Sequence, residues 1–378
     1  MSLQELAEIS RFYGSNPDYV IAGGGNTSFK DRDYLYVKAS GTSLADARPG
    51  DFVKMDRGSL ARIWEKTYPA GADAREAAVL ADMMAARVPG EENKRPSVET
   101  LLHDILPFTF VVHTHPALVN GITCARNGEA SAAELFAGGS LWIPSTTPGY
   151  ILSKTVKDAM ADYRAKKGTV PDIIFLQNHG VFAGADTAGS VKALYDRIMN
   201  TIGGKITRTP DTGEKLASFG NSDSTGRELL AAAAAIDGQA RWFIAFERNP
   251  EIVRFTADKN AFEGVSRPFS PDHIVYAGSA PLFINAGTVE SAGGIRESLK
   301  KHTEKTGSIP KTVAVQGLGV FGLAGSENAA ANAVRLFNDA VKVAVYSESF
   351  GGPLFMSSDQ AAFINNWEVE RYRSKISQ

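Results

Sequence analysis

The sequence contains very little cysteine, no long apolar run and no excess of charge of either sign. Its single cysteine, Cys124, cannot form an internal disulfide, which indicates a reducing compartment such as the cytoplasm. No apolar stretch approaches the roughly 20 residues of a membrane helix, and residues 1–14 lack the basic and apolar regions of a signal peptide. The 40 basic and 42 acidic residues give a net charge of −2, so we expect neither nucleic acid nor a membrane as partner.

The 378 residues are enough for two domains, and the residue pattern predicts alternating helices and strands. Predicted strands at Tyr34–Lys38 and Phe108–Val112 are rich in aromatic and β-branched residues. Predicted helices at 73–87 and 188–203 show apolar residues at helical spacing. No GxGxxG motif follows a strand, so the pattern favours an α/β fold other than a nicotinamide-binding Rossmann domain.

Two segments of the chain resemble each other. The sequence PDIIFLQNHGVF, which begins at Pro171, aligns without a gap with PKTVAVQGLGVF, which begins at Pro310, and each precedes a predicted long helix. This similarity favours a duplicated domain over a chance strand–turn–helix resemblance. His179 of the first copy is replaced by Leu318 in the second, so chemistry that needs this histidine is restricted to the first copy.

The predicted domain boundaries follow from a polar stretch without periodicity at 208–228, which is typical of a linker. We predict a first domain at 1–207 and a second, degenerate copy at 229–378 that lacks metal ligands. Helices over 228–249 are expected to begin the second half.

Three histidines and one glutamate have the spacing of a metal-dependent active site. His113 and His115 in VVHTHP project from the same face of a strand, and His179 in a turn is the natural third ligand. An HxH pair also occurs by chance, so spacing alone leaves metal binding and simple packing equally open. Glu99, at the start of a short helix, suits either a helix-capping role or a general base whose pKa is raised by a cleft. His103 lies one helical turn after Glu99, where a packing or supporting role is expected.

Two glycine-rich turns are typical of an anion-binding cradle. The GGGNTS segment allows close approach of backbone N–H groups, and Asn26 and Ser28 add side-chain partners. The KASGTS segment adds Ser40 and Gly41, and Ser97 before the short helix is a further candidate. The alternative is that these glycines and serines only shape turns.

Five motifs in order, GGGNTS, KASGTSL, RPSVETLLH, VVHTHP and LQNHGVF, resemble the class II aldolase/adducin family over residues 10–205. PDHIVYAGSAPLF and VQGLGVFGL in the second half resemble the aldolase part of its bifunctional rhamnulose-1-phosphate aldolase/alcohol dehydrogenase group. The resemblance implies a three-layer αβα fold with a degenerate second copy. It also implies Zn²⁺ bound by His113, His115 and His179, with Glu99 as the acid/base. Its phosphate positions are Asn26, Ser40, Gly41 and Ser97, although Val98 stands where the family has a second serine.

The function implied by this resemblance is zinc-dependent retro-aldol cleavage of a (deoxy)ketose 1-phosphate, such as rhamnulose 1-phosphate. The products would be dihydroxyacetone phosphate and an aldehyde, and the enzyme would be a homo-oligomer acting on a small sugar phosphate. Because no dehydrogenase domain is found before Gln378, no nicotinamide site is expected in these residues. An epimerase or dehydratase on the same scaffold, or an adducin-like binding protein without catalysis, remain the alternatives.

Overall fold

The computed structural model describes residues 2–213, 222–238 and 241–367. These residues form two compact units. The first runs to Thr123 and continues at Asn127–Lys205, and the second comprises Cys124–Arg126 and the chain from Ile206 onward. Each unit contains its own sheet flanked by helices, which confirms the α/β class. Within the described ranges, no helix combines the length and apolar character needed to cross a bilayer.

The elements are numbered in chain order. The strands are β1 (Asn26–Lys30), β2 (Tyr34–Lys38), β3 (Phe52–Asp56), β4 (Phe110–Thr114), β5 (Leu141–Ile143), β6 (Ile173–Leu176), β7 (Gly180–Ala185), β8 (Phe243–Glu247), β9 (Leu282–Ile284), β10 (Thr312–Val315) and β11 (Gly319–Ala324). The α-helices are α1 (Leu3–Gly14), α2 (Arg57–Ile63), α3 (Ala72–Ala85), α4 (Thr100–Ile105), α5 (Ala117–Thr123), α6 (Gly128–Leu135), α7 (Tyr150–Lys167), α8 (Ala188–Gly203), α9 (Ser222–Asp237), α10 (Pro250–Phe255), α11 (Lys259–Phe262), α12 (Ala286–Glu290), α13 (Gly294–Thr306), α14 (Glu327–Ser347) and α15 (Ser358–Asn366). Short 3₁₀ turns lie at Pro49–Asp51, Glu263–Val265 and Glu348–Phe350, and a π-helical turn lies at His273–Ala277.

The first unit is a sheet covered by helices on both faces. Its strand order is β3-β2-β1-β4-β7-β6-β5, antiparallel except for the β5–β6 pair. One face packs against α4 and α7 through a core that includes Val111, Ile174 and Phe182. On the other face, Ser10 of α1 hydrogen-bonds Thr27 at 2.7 Å, and α8 packs against β4 and β7. These helices form the three αβα layers of the first unit.

Strand alternation places the polar residues of β1 and β4 on the face that α4 covers. Asn26 is the register partner of His113, so the two side chains share a face with Val111. Thr114 points the opposite way and donates to the hydroxyl of Tyr195 on α8 at 2.9 Å. The β1–β4 pairing therefore directs Asn26 and His113 toward the same helix.

The sheet of the second unit repeats part of the first. Its order, β8-β11-β10-β9, has the pair directions of β4-β7-β6-β5, with one parallel pair at the edge. Val313 pairs with Phe321 as Ile174 pairs with Phe182, so the two copies have the same register. Within the described residues, the second unit has no strands corresponding to β1–β3. The repeat is therefore a partial one.

The beginning of the second half differs from the helices expected over 228–249. Phe243–Glu247 form strand β8, because this aromatic and β-branched segment pairs along its whole length with β11. Helix α9 begins at Ser222, so the predicted linker at 208–228 extends into this helix. Residues 214–221 of that linker lie outside the described residues.

Candidate metal centre

His113, His115 and His179 converge on one point of the first unit. One ligand nitrogen from each histidine lies within 4.8 Å of the others. His113 is buried near the end of β4, His115 follows that strand, and His179 lies in the turn between β6 and β7. The Nε2 atoms of His113 and His115 are 2.8 Å apart, so both rings present the same nitrogen to this point.

The ring of His113 is fixed from two sides. Its Nδ1–H donates to the carbonyl oxygen of Val181 at 3.0 Å, which leaves the lone pair on Nε2 for a ligand. Phe182 stacks on the same ring, with centroids 4.0 Å apart and planes inclined by 13°. These contacts hold the imidazole in one tautomer and one orientation.

Glu99, the residue before α4, faces the histidines with one carboxylate oxygen. Its Oε1 lies 3.3 Å from Nε2 of His113 and 3.4 Å from Nε2 of His179. Among the residues that the structure describes, no group donates a hydrogen bond of normal geometry to this oxygen. Burial alone raises the pKa of Glu99, but the neighbouring histidines outweigh it and hold that pKa well below its usual range. This direction is opposite to the raised pKa that the general-base interpretation of the sequence included.

The other oxygen of Glu99 is held by Asn26. Asn26 Nδ2 donates to Glu99 Oε2 at 2.5 Å and to Ser97 Oγ at 3.2 Å. Ser97 Oγ also accepts the backbone N–H of Glu99 at 3.2 Å. Helix α4 begins at Thr100, so Ser97 lies in the segment that leads into the helix.

The candidate phosphate residues divide into two groups. The turn with Ser40 and Gly41 lies beside Ser97, because Ala39 bridges to Pro96 and Ser40 N–H donates to the carbonyl of Arg95 at 2.8 Å. Ser28 is instead fully buried, and its hydroxyl contacts His103 at 2.7 Å. The structure thus brings Ser40, Gly41 and Ser97 together, whereas the Ser28 hydroxyl is engaged with His103.

Two glycines allow the backbone to approach the histidines closely. Gly25 has a φ of +68°, and a Cβ there would lie 2.7 Å from the carbonyl oxygen of His113. A Cβ on Gly180 would lie 2.5 Å from Cδ2 of His115 and 2.6 Å from the carbonyl of Thr114. Any larger residue at position 180 must therefore displace His115 or its strand.

We expect G180A to lower metal affinity about 10–100-fold, as changes to the surroundings of metal ligands commonly do. Competition with a fluorescent chelator measures this affinity. The matched control is G319A at the corresponding position of β11, where a Cβ would meet Glu247 and Phe246. G319A is expected to lower Tm and leave the metal affinity unchanged, whereas equal metal affinities of G180A and the unmodified protein would refute the prediction.

Comparison with known proteins follows the boundaries of the first unit. A model of the class II aldolase and adducin N-terminal domain matches residues 4–201, which is more than half of the chain. The chain belongs to the class II aldolase and adducin family. This match confirms the resemblance carried by the five motifs.

Individual relatives of this family member are distant. The chain is 21% identical to the uncharacterized oxidoreductase YuxG of Bacillus subtilis (strain 168), and the match spans 99% of this chain but 58% of that protein. The N-terminal class II aldolase domain of a conserved Thermoplasma acidophilum protein is 30% identical, with a TM-score of 0.43, over 53% of this chain and 89% of that one. L-fuculose-1-phosphate aldolase of Thermus thermophilus is 15% identical, with a TM-score of 0.35, over 53% and 92% of the two chains.

The second unit of this family member carries different side chains at the positions aligned with the three histidines. The β8–β11 register aligns Phe246 with His113 and Arg248 with His115, and the repeat aligns Leu318 with His179. Phe246 packs on Phe321, with centroids 4.7 Å apart, where His113 packs on Phe182 in the first unit. The sequence repeat revealed the change at Leu318, but the other two lie outside the aligned segment and needed the register.

Proposed function

We propose that the protein is a divalent-metal-dependent aldolase that cleaves a (deoxy)ketose 1-phosphate, such as rhamnulose 1-phosphate. The products would be dihydroxyacetone phosphate and an aldehyde. The observation that carries this proposal is the position of Glu99 Oε1, which is buried and without a hydrogen-bond partner 3.3–3.4 Å from two of the three histidines. Membership of the class II aldolase and adducin family supports the same chemistry.

The donor set fits a divalent cation of the Zn²⁺ type. Three imidazoles plus an open position is the ligand pattern of catalytic zinc, and Val181 orients the ring of His113 for it. The unpartnered oxygen of Glu99 is a further group that a cation would satisfy. We propose that His113, His115 and His179 hold Zn²⁺, which, when bound, supplies Lewis-acid stabilisation of negative charge on the ketone oxygen.

Glu99 is the proposed proton carrier. In the synthesis direction its carboxylate takes a proton from the hydroxymethyl carbon of dihydroxyacetone phosphate. The electron pair of that C–H bond forms the new C–C bond, and the aldehyde oxygen, which receives the π electrons of its C=O bond, takes a proton from solvent. In cleavage the hydroxyl on the departing carbon releases its proton to solvent and becomes the aldehyde C=O, the C–C bond breaks, and protonated Glu99 returns a proton to the hydroxymethyl carbon. Asn26 holds the second oxygen of Glu99, so that Oε1 alone is directed toward the histidines.

The phosphate is proposed to bind at Ser40, Gly41 and Ser97, which the Ala39–Pro96 bridge brings together. Gly41 has a φ of +88°, a conformation typical of turns whose N–H groups face an anion. The side chains of Asn26 and Ser28 are not proposed as phosphate ligands, because Asn26 contacts Glu99 and Ser28 contacts His103.

A substrate panel tests this function. Metal-loaded protein is incubated with rhamnulose 1-phosphate, fuculose 1-phosphate and related ketose phosphates, and the products are identified by NMR. Release of dihydroxyacetone phosphate supports the proposal. A changed sugar without C–C cleavage would instead indicate an epimerase or dehydratase, and failure to bind zinc at all would indicate an adducin-like binding protein.

We also propose that the protein acts in the cytoplasm as a homo-oligomer. The single cysteine supports the location, and the family resemblance supports the assembly. Sedimentation velocity measures the assembly, and a monomer at micromolar concentration would contradict this part of the proposal.

A further inference from the structure

We propose that His103 is a positioning residue that fixes the side-chain amide of Asn26 and, through it, the orientation of the Glu99 carboxylate. His103 has no assigned role in the proposed reaction and does not belong to the histidine cluster. The inference deepens the proposed function, because it rests on Glu99 being the proton carrier. It is carried by a chain of hydrogen bonds from Ser28 through His103 and Asn26 to Glu99.

The orientation of the Asn26 side-chain amide is fixed by its hydrogen bond to Glu99. Asn26 Nδ2 donates to Glu99 Oε2 at 2.5 Å, so the NH₂ group of the amide faces the carboxylate. A flipped amide would place its carbonyl oxygen against the carboxylate. The Oδ1 atom of Asn26 is consequently directed toward His103, with which it is in hydrogen-bond contact.

The tautomer of His103 follows from its contacts with Asn26 and Ser28. Asn26 Oδ1 is an acceptor, so the His103 Nε2 that contacts it must carry a hydrogen. Nδ1 of a neutral ring is then an acceptor, and Ser28 Oγ lies 2.7 Å from it as the donor. His103 is fully buried, and burial lowers its pKa well below the usual value, so the ring is neutral. Each residue in this series therefore donates to the next: Ser28 to His103, His103 to Asn26, and Asn26 to Glu99.

Strand β1 and helix α4, which carry these hydrogen-bonded residues, are themselves held together by further contacts. Alternation along β1 turns Asn26, Ser28 and Lys30 toward α4. The Lys30 ammonium donates to the carbonyl oxygen of His103 at 2.6 Å, and the His103 N–H donates to the carbonyl of Glu99 at 3.1 Å. The strand and the helix are thus joined by both side-chain and backbone contacts around His103.

These hydrogen bonds determine which oxygen of Glu99 faces the histidines. Asn26 Nδ2 occupies Oε2, and Oε1 is left facing His113 and His179. If the amide of Asn26 turned over, Oε2 would lose its donor and the carboxylate would be free to rotate. The role of His103 is to prevent this rotation through its hydrogen bond to Asn26.

Two substitutions of nearly equal size separate this role from simple packing. In H103Q the side-chain nitrogen can reach the position of Nε2 and still donate to Asn26, whereas the shorter side chain of H103N reaches the position of Nδ1. We expect H103N to lower kcat about 10–100-fold with KM changed less than about threefold, and H103Q to retain most of kcat. Metal content, measured in both proteins, is expected to be unchanged. Equal losses in the two variants, or losses that follow Tm, would overturn the proposal.

A second readout does not depend on activity. The ¹⁵N chemical shifts of the ring nitrogens of His103, assigned by comparison with H103Q, report its tautomer directly. The proposal requires the Nε2–H form in the unmodified protein and a mixture of tautomers in S28A. An Nδ1–H or cationic ring in the unmodified protein would overturn the positioning role. If the protein cleaves no ketose phosphate but the Nε2–H form is found, the proposed function fails while the hydrogen-bond chain stands.

Discussion

Replacement of Glu99 by glutamine is expected to lower kcat for cleavage about 10²–10⁴-fold, the contribution typical of a positioned general acid or base. An amide has nearly the same size and keeps an oxygen near Asn26, but it cannot take a proton from carbon or return one. Glu99 is only 8% exposed, so no bulk-water base readily replaces it. The loss should therefore appear in kcat, with a smaller change in KM.

The rate of dihydroxyacetone phosphate release at saturating substrate measures this effect, together with metal content and Tm. A suitable control is E76Q, which alters a buried carboxylate that contacts Arg75 and the backbone of Tyr150. E76Q is expected to retain kcat within a few fold. If E99Q kept full activity with its metal in place, Glu99 would not be the proton carrier.

Replacement of His179 by leucine is expected to abolish both metal binding and activity. The substitution gives the first unit the residue that the second unit has at Leu318, and it removes one of three converging imidazoles. Two imidazoles hold a divalent cation much less tightly than three, because one of the three metal–nitrogen bonds is lost. His179 is partly exposed in its turn, so leucine there should cost little folding stability.

Metal content after exhaustive dialysis measures this effect, with about one zinc per chain expected in the unmodified protein and close to none in H179L. The reciprocal variant L318H is the matched control. It adds a histidine in the second unit, where Phe246 and Arg248 stand at the positions aligned with His113 and His115, and is expected to add no metal. Retention of stoichiometric zinc by H179L would show that the metal lies elsewhere.

Local patterns in the sequence were sufficient for many elements of the fold. Strand Tyr34–Lys38 and helix Ala188–Gly203 have the predicted bounds, because each has a periodic core-facing pattern and a clear end. Strand β8 was missed because its five residues, Phe243–Glu247, follow an alanine-rich helix and pair with β11, which lies far along the chain. Such non-local pairing leaves little trace in a local pattern.

The candidate site was predictable in its residue types but not in its hydrogen bonds. The HxH alternation placed His113 and His115 on one face, and the structure brings His179 and Glu99 to the same point. The hydrogen bond between Ser28 and His103 could not be predicted from the sequence, because these residues are 75 positions apart and meet only when β1 packs on α4. A raised pKa of Glu99 was one interpretation of the sequence, but the attraction of the neighbouring histidines outweighs burial and lowers that pKa.

The most direct test of proton transfer by Glu99 is hydrogen exchange into dihydroxyacetone phosphate in D₂O, followed by ¹H NMR. This measurement needs no aldehyde and no knowledge of the natural sugar, since it reports only proton transfer at the hydroxymethyl carbon. We expect metal-loaded protein to replace one C–H hydrogen with deuterium, and we expect E99Q, purified in the same way, to leave it in place. Absence of exchange in the metal-loaded protein, or equal exchange by E99Q, would contradict proton transfer by Glu99.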